Sequence, residues 1–261
     1  MTSEWLTDFW RYRELLYFLA WRDVKVRYKQ AALGASWAVI QPLLTMIIFT
    51  LFFGRLAGVP SDGVPYPLFS FCALVPWTYF SSTLNQGGNS LVGNATLVTK
   101  VYFPRALLPA ASVLSGLVDF AMGAVFLALM MLYYHVRPGW SLFLVPLFVV
   151  GMVLLAFSVS MLLAALNVRY RDVKYALPFL VQIWLFVTPI IYPVAFLPPR
   201  MKRFLAFNPM AGFLEGFRNS LFNTRHMDWG LVGISVVITA GLLVIGAIYF
   251  RKTERSFADI V

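Results

Sequence analysis

Between Lys29 and Arg55 the chain runs for 25 residues without a charged side chain. A helix rising 1.5 Å per residue crosses the ~30 Å hydrocarbon core of a bilayer in about 20 residues, so this window is long enough to span one. Apolar windows of spanning length recur, and together they predict six helices at 34–54, 67–83, 106–133, 142–166, 176–196 and 229–250. Six crossings with short loops use most of the 261 residues, which leaves no room for a separate globular domain. Only 12% of residues are charged and 60% are hydrophobic, against about 25% and 45–50% in soluble domains. A charge at mid-bilayer costs several kcal/mol, so the few charges belong at helix ends. The expected fold class is an all-α integral membrane protein, a single transmembrane domain over 1–261.

The balance of 21 Lys and Arg against 11 Asp and Glu could suggest nucleic acid. The basic residues instead lie in short clusters flanking apolar windows, which reads as topology and anionic lipid contact. With the N-terminus inside, the cytoplasmic segments hold 14 Lys and Arg and the external ones seven, so both termini are expected in the cytoplasm. Five of those seven fall between Arg200 and Arg225, the weakest point of that orientation. No A-x-A-like cleavage site precedes the first window, and no cleaved signal peptide is expected. The single Cys72 makes no internal disulfide and is expected to pack as a small hydrophobe.

The segments between spans carry their own signals. Over 4–30, charges beginning with Glu4 and Asp8 alternate with a stripe at helical spacing, Tyr17, Trp21, Val24 and Tyr28, predicting an amphipathic helix in the headgroup plane, or one packed on a partner. Pro42 should kink the first span, and Pro178, Pro189 and Pro193 should bend the fifth. The polar run Asn85-Gln86-Gly87-Gly88-Asn89-Ser90 reads as the loop that ends the second span. Residues 91–105, interrupted by Pro104, read as a short interfacial helix. The stretch 197–228 is too apolar for a loop and too broken to span, so two short re-entrant or interfacial helices on either side of Asn208-Pro209 are expected.

Little here points to covalent chemistry. No G-x-x-x-x-G-K-[ST] loop occurs, so ATP cannot bind by that route. His135 and His226 belong to no metal pattern and are expected in solvated loops. The sequon Asn94-Ala95-Thr96 falls in a loop expected to be cytoplasmic, and no acidic cluster supports a metal-dependent transferase. No catalytic or metal-binding residue is assigned. Asp119 is the one carboxylate in the middle of a span, with no basic residue inside a span to pair with it. It either contacts a hydrated pathway, as in a proton-coupled carrier, or is satisfied at a helix interface. Aromatics make up 17% of the chain, many within spans, where they serve packing or stack on sugar rings.

Five stretches, taken in order, carry a resemblance: RDVKVRYKQAALGASWAVIQP from Arg22, YFPRALLP from Tyr102, NVRYRDVKYALPFLVQIWLFVTPIIYP from Asn167, NPM from Asn208 and YFRKTERSFADIV at the end. Together they resemble the membrane subunits of type-2 ABC exporters for polysaccharides, the O-antigen, capsule and teichoic acid permeases. The resemblance implies a homodimer bound to two copies of a separate ATPase that holds ATP and magnesium. It further implies inner-membrane export of a polyprenyl-pyrophosphate-linked glycan, O-antigen above the others, through a channel lined by the first and fifth spans. Trp37, Phe49, Phe52, Trp184, Phe186 and Tyr192 are then candidates for sugar contact. Segment 91–105, with Lys100, Tyr102, Phe103 and Arg105, becomes the candidate ATPase-coupling segment. Arg22, Lys25, Arg27 and Lys29 become candidates for the pyrophosphate headgroup or for membrane lipid. A type-2 permease for a drug or small lipid shares this architecture and stays open, as does a carrier centred on Asp119.

Overall fold

The computed structural model describes residues 10–29, 34–223, 227–254 and 257. The expectations for Glu4, Asp8, Arg225, His226 and the last four residues of the chain fall outside that set. The described chain is helical, and no strand occurs among the described residues. Among the described residues ten α-helices follow in order: α1 Arg13–Lys29, α2 Trp37–Phe49, α3 Tyr66–Gly93, α4 Ala95–Lys100, α5 Leu107–Tyr133, α6 Val145–Arg169, α7 Val173–Val187, α8 Pro199–Leu205, α9 Pro209–Phe222 and α10 Trp229–Glu254. A wider π-helical stretch, Thr50–Leu56, carries α2 onward, and a short 3-10 turn, Trp140–Leu144, leads into α6. Among the described residues four helical runs are long and apolar enough to cross a membrane: Trp37–Leu56, Leu107–Tyr133, Trp140–Arg169 and Trp229–Glu254. The apolar α7 is shorter, at 15 residues.

α3 corrects the sequence reading of the second span. The polar run at 85–90 does not end the helix, which continues to Gly93 over 28 residues. The reason is that this helix runs through the middle of the bundle, against α2, α5, α6, α7 and α9, so its polar groups meet protein. Many are satisfied on their own helix: Asn85 donates to the Ser81 carbonyl at 2.8 Å and Asn89 to that of Asn85 at 2.7 Å. Asn167 of α6 reaches across to the Gly88 carbonyl and to Asn89 Oδ1, each at 3.0 Å. The two glycines are contact points: a Cβ on Gly87 would lie 2.6 Å from Ser160, and one on Gly88 would lie 2.8 Å from Leu177. Small residues that let helices approach closely are the usual glue where lipid replaces water.

Cys72 is fully buried in the main core, among Phe71, Leu74, Phe80 and Phe213. In a second cluster Leu19 of α1 groups with Leu91, Val98, Phe103, Leu107, Phe250 and Phe257. α1 therefore turns Leu19 and Val24 inward, while Tyr17 and Trp21 of the expected stripe stay exposed. α9 is buried along its whole length.

Candidate functional site

The fifth apolar segment does not run as a bent helix to 196. α7 stops at Val187, and Thr188 to Ile191 are buried in non-helical backbone. Pro189 and Pro193 have no N–H to continue an i to i−4 ladder, so the helix ends where the first of them would enter it. The freed carbonyls are met by side chains. Asn208, the N-cap of α9, donates to Thr188 Oγ1 at 3.0 Å and to the Val187 carbonyl at 3.5 Å. Arg218 donates to the carbonyls of Pro189 at 2.8 Å and Ile190 at 3.4 Å, and Tyr66 donates to that of Ile191 at 2.9 Å.

Arg218 is one of the five positive charges between Arg200 and Arg225 that the sequence reading places outside. It is 1% exposed, pairs with Glu215 at 3.1 Å, and stacks its guanidinium 3.9 Å from the centroid of the Phe69 ring. Its charge is therefore neutralised inside the protein, which removes it from the topological count. Only its spacing from Glu215, three residues on one helix, hinted at this; nothing in the sequence gave the carbonyl partners.

The channel candidates divide by exposure. Trp37, Phe52 and Phe186 are exposed, and Tyr192 is half-buried. Phe49 instead turns into the core, edge-on to Phe53 at 5.6 Å. Trp184 is half-buried, edge-on to Phe80 at 5.1 Å, and its indole N–H donates to Asn208 Oδ1 at 2.9 Å. Its polar handle is thus already engaged at the end of its own helix.

Asp119 has the basic partner that the sequence withheld. Arg27 of α1 forms an ion pair with it, donates to Gln86 of α3, and lies 3.4 Å from Ser115; Tyr28 donates to the other carboxylate oxygen. The partner was missed because it comes from outside the spans and is 92 residues away in sequence. Arg27 is therefore engaged by Asp119. Of the others, Arg22 pairs with its neighbour Asp23 at 2.8 Å, Lys25 lies 5.7 Å from the centroid of the Trp21 ring, and Lys29 is exposed.

In the coupling segment, α4 occupies Ala95–Lys100 and an extended piece leads to α5. Tyr102 projects fully, at 96% exposure, beside exposed Lys100. Phe103 packs into the second cluster, and Arg105 is tied to the end of α10, its backbone N–H donating to Glu254 Oε1 at 3.1 Å and its guanidinium to the Glu254 carbonyl. Two of the four candidates are thus free to meet another protein, and two brace the segment against the chain's own ends.

The described residues thus form an apolar helical bundle pinned by buried polar contacts, with four helical runs long and apolar enough to cross a membrane. The chain belongs to the ABC-2 type transporter family, whose model matches residues 14–222. It is 29% identical to the O-antigen export system permease protein RfbA of Myxococcus xanthus, over 97% of this chain and 98% of that one. It is 28% identical to an RfbA of Klebsiella pneumoniae over 95% of each chain. It is 21% identical to the polysialic acid transport protein KpsM of Escherichia coli, over 90% of this chain and 92% of that protein.

Proposed function

We propose that this chain is the membrane-spanning half of an ATP-driven exporter of a polyprenyl-pyrophosphate-linked polysaccharide, O-antigen being the favoured class. The observation that carries the reading is similarity along nearly the whole chain to an O-antigen export system permease protein and to a polysialic acid transport protein. Two copies of the chain assemble with two copies of an ATPase that binds ATP and magnesium. The six expected segments act as spans in the inner membrane, both termini face the cytoplasm, and α8 and α9 cap the outer side. The exposed Lys100 and Tyr102 meet the ATPase, while Trp37, Phe52, Phe186 and Tyr192 offer ring faces on which a sugar chain can slide. An ion-paired Asp119 does not favour the proton-carrier alternative, because its charge is already matched by Arg27.

The test is export in cells whose partner ATPase binds ATP but cannot hydrolyse it. Lipid-linked polymer should accumulate on the cytoplasmic side, and surface polysaccharide should disappear. Continued export under that block would refute the reading. Phe186→Ala combined with Tyr192→Ala should impair export while leaving ATP hydrolysis intact; normal surface polysaccharide would remove the aromatic path.

A further inference from the structure

We propose, resting on that reading, that Asn208 and Arg218 are positioning residues that lock the broken end of α7 to α9, so that the pathway opens by moving these two helices as one body and not by straightening α7. A helix end leaves its last carbonyls without partners, and inside a membrane no water supplies them. Here the carbonyls of Val187, Pro189, Ile190 and Ile191 are all reached by side chains, and that of Thr188 accepts from Ile190 N–H at 2.7 Å. Two of the three side chains that do this belong to α9 and its cap.

Each donor is itself held. Asn208 Oδ1 accepts from Trp184 Nε1 at 2.9 Å and from Met210 N–H at 3.1 Å, which sets the amide's orientation and ties α7 to α9 through one side chain. Arg218 is fixed by Glu215 and by the face of Phe69. An ion pair this deep is often no more stabilising than well-packed apolar side chains of the same volume. An apolar side chain could not donate to Pro189 and Ile190, and that is what the arginine adds. Straightening α7 through 188–193 would strip these bonds, and Pro189 could replace none of them because it has no N–H. Phe186 and Tyr192 flank the lock, so the positions of both rings follow from it.

The experiment uses the chain with its partner ATPase in sealed vesicles, with Cys72→Ser and the pair Thr188→Cys and Asn208→Cys, whose wild-type side chains are 3.0 Å apart. The oxidised, cross-linked protein should export at least as well as the reduced form, since the disulfide replaces a bond that never opens. Export that stops on oxidation and returns with reductant overturns the proposal. A second arm needs no polymer, so it stands even if the substrate class is wrong. Vesicles carrying Glu215→Gln with Arg218→Met, which strands no carboxylate, should leak a small anionic dye roughly tenfold faster than wild type, matching the loss of a buried hydrogen bond. Arg218→Lys with native Glu215 should recover part of the seal. A folded double variant that holds dye as well as wild type overturns the proposal, and either arm is sufficient if the other variant does not fold.

Discussion

Replacing Arg27 by Ala removes the cation from a pair in which both side chains keep only about a fifth of their surface, 22% and 18%. Breaking a fully buried pair costs about 3–5 kcal/mol, because the remaining charge is left without compensation. Here the cost is lower, about 2–3 kcal/mol, since the site is partly open and Tyr28 still donates to Asp119. Asp119→Asn should cost less, about 1 kcal/mol, because the amide still accepts hydrogen bonds and the long Arg27 side chain can reach polar surroundings. Combining Arg27→Ala with Asp119→Asn should recover about 1–2 kcal/mol relative to the sum of the single changes. Thermal unfolding in nanodiscs measures the cycle, and export by the Asp119→Asn variant is followed beside it. Additive single changes, or an Arg27→Ala protein as stable as wild type, would refute the pairing. An Asp119→Asn protein that folds but exports nothing would revive the carrier reading.

Tyr102→Ala should uncouple ATP hydrolysis from export without a change in stability, whereas Phe103→Ala should cost about 3–5 kcal/mol through the cavity it opens; comparing ATPase coupling with unfolding separates the two. Trp184→Phe should keep the ring but lose the bond to Asn208, lowering stability by about 1–2 kcal/mol in the same unfolding assay, where a tryptophan used only for sugar stacking would show no loss. Gly212→Ala should destabilise the α9–α10 contact by about 1–3 kcal/mol, since its Cβ would meet the Leu231 carbonyl at 2.7 Å, while Gly233→Ala, with nothing within 4 Å, should not.

The solvent and the fold class follow from composition and spacing, since 25 residues without a charge admit few structures other than a helix in lipid. The break at Asn208-Pro209 was readable for a similar reason, because a proline and an N-cap are local rules. Local rules failed where a polar residue met protein instead of water. Hydropathy treats Asn85 to Ser90 as a loop, yet in the bundle the glycines are contact points for α6 and α7 and Asn167 reaches across to Gly88. Phe49 and Phe52 lie three residues apart in one apolar run, and neighbouring helices alone put the first in the core and leave the second exposed. Two of the ion pairs mark the same divide. Glu215 and Arg218 are adjacent on one helix face, so their pairing was in reach of spacing. Arg27 and Asp119 are 92 residues apart, and their contact exists because α1 packs along α5. Period and charge are properties of a segment and survive in the sequence; which groups satisfy a buried carbonyl or carboxylate depends on what the folded chain brings beside it.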